Sequence, residues 1–300
     1  MDNIQRSFII GDEWLYFKIY TGYKSADDIL TDVIKPMTQE LIDQQAISKW
    51  FFIRYADPEN HLRIRFQLKD QKRILEVSSA LNKKIKPLII QDIVWKLQAD
   101  TYIRELERYD ANGIELAEEL FYHDSQMMVD FLILIEGNEG EKLRWLFAIK
   151  SIYSLLDSFE FKDADKIKLM ARLSSRFGRE FNMNRKLKMQ LDKKFREYRN
   201  EIESFLESHD KMEYHPINQI LEKRSNDIKN VSKSLRFKIE NGIIEKSMDH
   251  LMGSYIHMTM NRLFKSKARM HEMVCYNFME RIYKSQLARK KVLKMKSSLP

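Results

Sequence analysis

Cysteine is almost missing: Cys275 is the single one in 300 residues. One thiol excludes an intramolecular disulfide and leaves no thiolate cluster for zinc. Glycine and proline are scarce as well, eight and five in all, which points to long helices joined by few loops. No run reaches the roughly 18 apolar residues that a membrane-spanning helix needs, and the first residues lack the apolar core of a signal peptide. The expected location is therefore the cytoplasm. A Gly-rich phosphate loop, an HExxH pair, a Cys pair and a Gly-x-Ser-x-Gly elbow are all absent. Hydride transfer, zinc hydrolysis and P-loop phosphoryl transfer consequently have no support in the sequence.

What is present is an ordinary core and an uneven charge. Hydrophobic residues make up 44% of the chain and aromatics 11%, enough for a sizeable interior. Residues 1–150 carry 20 Lys and Arg against 25 Asp and Glu, whereas residues 151–300 carry 32 against 19. That excess invites an anionic partner, RNA or an acidic protein; the plainer reading is a set of Lys/Arg-rich exposed helix faces.

The patterning changes along the chain. Residues 14–20 read as a strand, and Ser25 opens a helix that Pro36 should kink or break. Trp50–Tyr55 is aromatic and β-branched, as a strand should be, and Asp57-Pro58-Glu59-Asn60 is turn chemistry. A helix over 71–86 should end at Pro87, followed by a strand over 89–97 and an irregular stretch over 100–109. Asn112-Gly113 is a turn. From Ile114 onward, apolar residues recur at three and four. Helices are expected over 114–136, 140–158, 163–178, 185–208, 216–235, 243–264 and 268–290, with a loop at 209–216 and fraying at 297–300. Strands first and helices after argue α+β with an N-terminal antiparallel sheet and a larger, mainly helical remainder. The expectation is one domain over 1–300, strand-rich to 112 and helical from 113.

Three polar clusters could carry chemistry. His61-Leu-Arg-Ile-Arg-Phe66 alternates strictly, so Leu62, Ile64 and Phe66 share one face while His61, Arg63 and Arg65 share the other. The plain reading of the second face is a solvated outer surface. Against it, all three polar residues are cationic or can become so, and paired arginines suit a carboxylate, a phosphate or a developing enolate. The second cluster is Arg104, Glu105 and Arg108, which read equally well as exposed ion pairs. In the third, His257 and Asn261 lie four apart on a helix with apolar neighbours. A lone histidine there is commonly a satisfied core residue, yet a partly buried imidazole can also exchange a proton near neutrality. His123 is a weaker candidate, and His209, His215, His250 and His271 show no metal spacing.

Five stretches together carry a resemblance. Trp-Leu-Tyr-x-Lys-Ile-Tyr (14–20), Phe-Phe-Ile-Arg-Tyr-x-Asp-Pro-x-x-His-Leu-Arg-x-Arg (51–65), Arg-Glu-x-Glu-Arg-Tyr (104–109), Phe-Tyr-x-Asp-Ser (121–125) and Ser-x-x-His-Met-x-x-Asn-Arg-Leu (254–263) resemble, in order, the C-terminal domain of lantibiotic dehydratases. That domain is also found alone as thiopeptide-type bacteriocin biosynthesis proteins. The resemblance implies a lyase that removes glutamate from glutamylated Ser or Thr of a ribosomally made precursor peptide, leaving dehydroalanine or dehydrobutyrine. It places Arg63, Arg65, Glu105, Arg108 and His257 on the elimination residues and implies no cofactor and no metal. The implied partners are the leader-core precursor peptide and a large glutamylating subunit of a split pair, with tRNA met only through that subunit. A homodimer is a further expectation by analogy. One departure stands out: the family often has Arg-Tyr-Gly-Gly where this chain has Arg108-Tyr109-Asp110-Ala111. The same resemblance extends to cycloaddition enzymes that close the pyridine ring of thiopeptides. A non-catalytic subunit binding the precursor peptide, a large dehydratase or a peptide aminoacyl-tRNA ligase is a third alternative, which would need no acid–base histidine.

Overall fold

The computed structural model describes residues 4–135, 137–208 and 211–297. His209 and the terminal residues 298–300, where fraying was expected, lie outside them. The chain forms two compact units, residues 1–136 with 226–266, and residues 137–225 with 267–300.

The first unit is built on antiparallel strands: β1 (Ser7–Phe8), β2 (Trp14–Thr21), β3 (Ile47–Ala56), β4 (Asn60–Leu68), β5 (Val94–Asp100) and β6 (Tyr102–Ile103). A four-stranded sheet runs in the order β3-β4-β2-β5, and β1 pairs with β6 separately. Between β2 and β3 the chain is helical from Ser25 to Asp43: α1 (Ser25–Asp28), a π-helical segment (Ile29–Ile34) and α2 (Lys35–Asp43). Pro36 sits in the first turn of α2, so the expected irregularity is taken up by the π segment just before it. α3 (Ile74–Ile90) carries Pro87 within it rather than ending there. Pro87 and Lys83, four residues before it, are both exposed, so water can solvate the carbonyl that loses its donor. The helix stops instead before Asp92, whose φ is 56°, and β5 begins later than the apolar run implied.

β6 is followed by a short α4 (Leu106–Tyr109), and then by α5 (Ile114–Leu134). The unit ends with α10 (Lys229–Glu240) and α11 (Met248–Leu263). α10 and the preceding α9 (His215–Asp227) were expected as one helix. The break falls at Ile228, which is fully buried, so the apolar rhythm runs through it and conceals it. Two outward N–H groups of edge strand β3 are covered: Phe52 N donates to Ser125 Oγ of α5 (3.2 Å), and Arg54 N to Asn261 Oδ1 of α11 (2.9 Å). Asn261 Nδ2 donates back to Arg54 O at 2.8 Å. Sealing an edge with side chains blocks further strand pairing and fixes α5 and α11 to the sheet.

The second unit is helical: α6 (Gly137–Ser158), α7 (Asp163–Glu180), α8 (Arg185–Leu206), most of α9, and α12 (Ala268–Ser297). Phe147, Ile149, Ile152, Leu156 and Phe278 are fully buried, and Trp145 meets Phe278 edge-on at 5.5 Å. The Lys150 ammonium donates to Phe205 O, Ser208 Oγ and Asn218 Oδ1, satisfying a carbonyl at the end of α8. Several cations of the basic second half are paired, among them Arg281 with Asp192 and Arg269 with Glu180. No helix among the described residues is long and apolar enough to cross a membrane.

Candidate active site

Alternation along four paired strands creates the site. On one face of the sheet Ile19, Phe52, Leu62, Ile64 and Phe66 are fully buried. The opposite face is a grid set by the register. Its first row reads Phe51, Arg65, Tyr16, Asp100; the second Ile53, Arg63, Lys18, Gln98; the third Tyr55, His61, Tyr20, Lys96. Neighbours in a row are separated by the strand spacing of about 5 Å, and rows by about 7 Å. Four of the twelve positions are cations and one is an acid.

Arg65 lies deepest. It is 8% exposed, and its guanidinium sits 4.4 Å from the Tyr16 ring centre, 4.8 Å from Tyr102 and 5.2 Å from Phe51. Its Nε and Nη1 have no hydrogen-bond partner among the described residues. Burial pulls its pKa below the usual arginine value, while the nearby tyrosines and Glu105 act the other way. A buried cation with unfilled donors is costly to the fold, and an anion bound there would remove the cost.

Arg63 is half-buried and held from two sides. Its guanidinium stacks 3.5 Å from the Tyr55 ring centre, and its Nε donates to His61 Nε2 at 3.0 Å. His61 Nδ1 is 2.8 Å from the Glu59 carbonyl, which fixes the tautomer: Nδ1–H donates and Nε2 accepts. Burial is the main influence lowering the His61 pKa, with Arg63 and Lys18 adding to it. The imidazole thus acts as a neutral prop for Arg63.

Glu105 and Arg108 come from the β6–α4 segment and form an ion pair at 2.9 Å, each side chain more than a third exposed. Arg104, although adjacent in sequence, does something else. It is 2% exposed and donates from Nε and Nη2 to the two oxygens of buried Glu118 at 2.7 Å, with the Tyr102 hydroxyl on the same carboxylate. That bidentate pair fastens β6 to α5, and so fixes where Glu105 and Arg108 begin. Behind Arg108, the Tyr109 ring stacks on Tyr255 of α11 at 5.7 Å and meets Phe121 edge-on at 5.2 Å.

Asp110 holds an unusual backbone conformation. Asp110 takes φ 69° and ψ 148°, a region that glycine enters freely and other residues rarely do. Its carboxylate compensates by accepting from Asn112 N at 2.9 Å and from Glu245 N at 3.1 Å. Gly113 is needed as such, because a Cβ there would lie 2.3 Å from the Tyr109 carbonyl oxygen.

α11 supplies the last residues. His257 is half-buried one turn before Asn261, on the side of the helix that grips β3. Arg262 points the other way into the interior: it is fully buried, donates to Ser125 Oγ at 3.1 Å and to Asp124 Oδ2 at 3.4 Å, and is pushed down to about 10, chiefly by burial. Thr259 Oγ1 donates to the same Asp124 oxygen at 2.7 Å. The Asp-Ser of the 121–125 stretch is therefore a buried knot joining α5, α11 and β3. Of the five residues expected in the site, Arg63 and Arg65 share one face, Glu105 pairs with Arg108 and acts electrostatically on Arg65, and His257 lies on α11, the helix that Asn261 ties to edge strand β3. Lys18, Asp100, Tyr16, Tyr20, Tyr55 and the supporting His61 belong to the same face. The strict alternation of Trp14-Leu-Tyr-Phe-Lys-Ile-Tyr20 was the signal that could have found three of them.

A family model described as the C-terminal part of lantibiotic biosynthesis dehydratases matches residues 14–283. Among curated proteins, the chain is 25% identical over 202 residues to the subtilin biosynthesis protein SpaB of Bacillus subtilis, covering 66% of this chain and 19% of that protein. The chain thus spans about a fifth of the length of that relative. Among solved structures, it is similar to the tRNA-dependent lantibiotic dehydratase MibB from Microbispora sp. 107891, with a TM-score of 0.73 at 21% identity, covering 93% of this chain and 29% of that one. It is also similar to TbtD, the pyridine synthase from thiomuracin biosynthesis, with a TM-score of 0.63 at 12% identity, covering 91% of this chain and 99% of that one. At these identities the two structures speak to the fold.

Proposed function

Because the chain belongs to the family of lantibiotic biosynthesis dehydratase C-terminal domains, we propose that it is a lyase that eliminates glutamate from glutamylated Ser or Thr of a precursor peptide. In that reaction a base takes the α-proton of the modified residue, the freed electron pair becomes the Cα=Cβ bond, and the Cβ–O bond breaks. Glutamate departs as a carboxylate. Negative charge builds first on the peptide carbonyl oxygen and then on the leaving group, and both need fixed donors.

The observation that carries the reading is Arg65: a buried guanidinium whose Nε and Nη1 lack partners among the described residues, on the same strand face as Arg63. Such donors are ready for a carboxylate or an enolate oxygen. Arg63, oriented by His61, supplies a second cation one row away. Glu105 orients Arg108, and His257 is the acid–base residue. The preceding glutamyl transfer belongs to a glutamylating partner or to sequence outside these 300 residues.

The test is direct. A peptide carrying an O-glutamylated serine is incubated with the protein, and free glutamate and the dehydrated peptide are followed by mass spectrometry. The expected result is loss of glutamate with appearance of dehydroalanine. Retention of the glutamyl group, with a glutamylating partner present, would overturn the reading, and ring closure between dehydroalanines without glutamate release would favour cycloaddition.

A further inference from the structure

Asp100 is the one acid in a grid that also holds Arg65, Arg63, Lys18 and Lys96. It lies at the end of Arg65's row, forms an ion pair with Lys18, and accepts from the Thr101 amide at 2.8 Å. The pair is not sealed inside: the Lys18 side chain is 17% exposed and that of Asp100 33%. Lys18 in turn lies beside Arg63 in the second row. The face therefore presents an anion and a cation side by side, next to the two arginines.

This arrangement matches what an amino-acid leaving group would show. An amino acid delivered from an aminoacyl-tRNA is joined through its α-carboxyl, so in the resulting ester its α-ammonium and its side-chain carboxylate are free. Ordinary bond lengths put those two groups about 5 Å apart in a glutamyl ester, close to the spacing of neighbouring positions within a row. A ligand with both charges can enter next to the Lys18–Asp100 pair so that opposite charges alternate and no group is left unpaired.

Resting on the elimination reading, we infer that Lys18 and Asp100 are a specificity subsite for the departing amino acid. Asp100 takes its α-ammonium, while Lys18 together with Arg63 takes its side-chain carboxylate. The subsite selects an acidic aminoacyl ester over a plain acyl ester or a neutral aminoacyl ester. Both groups are held in their charged forms around neutrality: Lys18 is raised chiefly by its bond to Asp100, and Asp100 is lowered by Lys18 and the Thr101 amide against the pull of burial.

The experiment compares three serine esters on one peptide: glutamyl, glutaryl (which lacks the ammonium) and glutaminyl (which lacks the carboxylate). The wild-type protein is expected to prefer glutamyl over each by about 10- to 100-fold in kcat/KM, the worth of one charge-assisted contact, mostly through KM. Asp100→Asn should abolish the preference over glutaryl and keep that over glutaminyl; Lys18→Met should weaken the preference over glutaminyl, Arg63 remaining, and keep that over glutaryl. A merely structural tie between β2 and β5 would lower all three rates together and leave the ratios untouched, which overturns the subsite. Calorimetry on the unmodified protein with free glutamate, glutarate and glutamine needs no variant. Equal affinity for the three also overturns it. Selective glutamate binding without elimination from any ester would leave the subsite standing and sink the reaction instead.

Discussion

The two faces of one sheet are made by the same strands, residue by alternate residue, and they do opposite things. One face, with Ile19, Phe52, Leu62, Ile64 and Phe66 at 0–1% exposure, is held by apolar burial and gains stability from every side chain. The other carries Arg65 buried with empty donors, Arg63 leaning on a neutral histidine, and a Lys18–Asp100 pair. Phe51, Tyr16 and Tyr20 are buried on this face too, but the charged residues among them add nothing to apolar burial. A face that costs stability and is nonetheless built with this much support is one whose arrangement serves a ligand.

The comparison can be broken most sharply by one large change on each face. Phe66→Ala removes a fully buried ring and should cost about 3–5 kcal/mol, seen as a large fall in the denaturation midpoint. Arg65→Met keeps most of the volume and deletes an uncompensated buried charge. It should leave the midpoint unchanged or raise it, since replacing buried charge by apolar volume is neutral to stabilising. Under the proposed reaction it should lower elimination by about 10²- to 10³-fold, the cost of losing one fixed donor to developing charge. Equal losses of stability in the two variants would show that the faces do not differ as argued.

A medium-sized effect is expected from His61 and shows in the pH profile. Burial, Arg63 and Lys18 lower its pKa; the Glu59 carbonyl and Asp57 oppose them. The folded value thus lies below the unfolded value of about 6.5, so the neutral form is the one the fold favours. Its contribution is complete above that pH and is lost as pH falls from there through the folded value. Protonation would also put a cation 3.0 Å from Arg63 Nε and remove its acceptor. Elimination should accordingly fall on the acid side with an apparent pKa below the ordinary histidine value. His61→Phe keeps the ring between Tyr20 and Tyr55. It should lose that acid limb and lower the rate by about five- to tenfold, as expected for one hydrogen bond. An unchanged acid limb in this variant would assign the limb to another group.

How much of this was legible in the chain depends on how far away each partner lies. The alternation in 61–66 is local, so the division of β4 into Leu62, Ile64 and Phe66 against Arg63 and Arg65 could be read directly. Lys18 and Asp100 could not be placed, because β4 sits between β3 and β2 while β5 pairs with β2 across some eighty residues. That register is set by tertiary packing and not by a short turn. Arg104 and Arg108 look alike in sequence, yet Arg104 finds Glu118 on α5 and is buried, while Arg108 meets Glu105 near the surface. The α+β order was legible from the change of rhythm at residue 114. The breaks at Ile228 and beyond Pro87 were not, since apolar spacing continues through the first and Pro87 lies on an exposed stretch of helix where it need not end the second.

The smallest effect sits at Asp110. Asp110 holds φ 69° at a cost of about 1–3 kcal/mol for a residue with a Cβ, offset by its bonds to Asn112 N and Glu245 N. Asp110→Ala keeps the strain and loses both bonds, so it should lower stability by about 1–2 kcal/mol. Asp110→Gly loses the bonds and the strain together, so its change should stay within about 1 kcal/mol of zero. The two denaturation midpoints separate the effects of conformation and side chain. If alanine is tolerated as well as glycine, the backbone at 110 relaxes freely, and the path from Arg104 to Arg108 is fixed by the Arg104–Glu118 pair alone. If glycine rescues what alanine loses, the turn itself is a second fixed point, and Arg108 is positioned from both ends of α4.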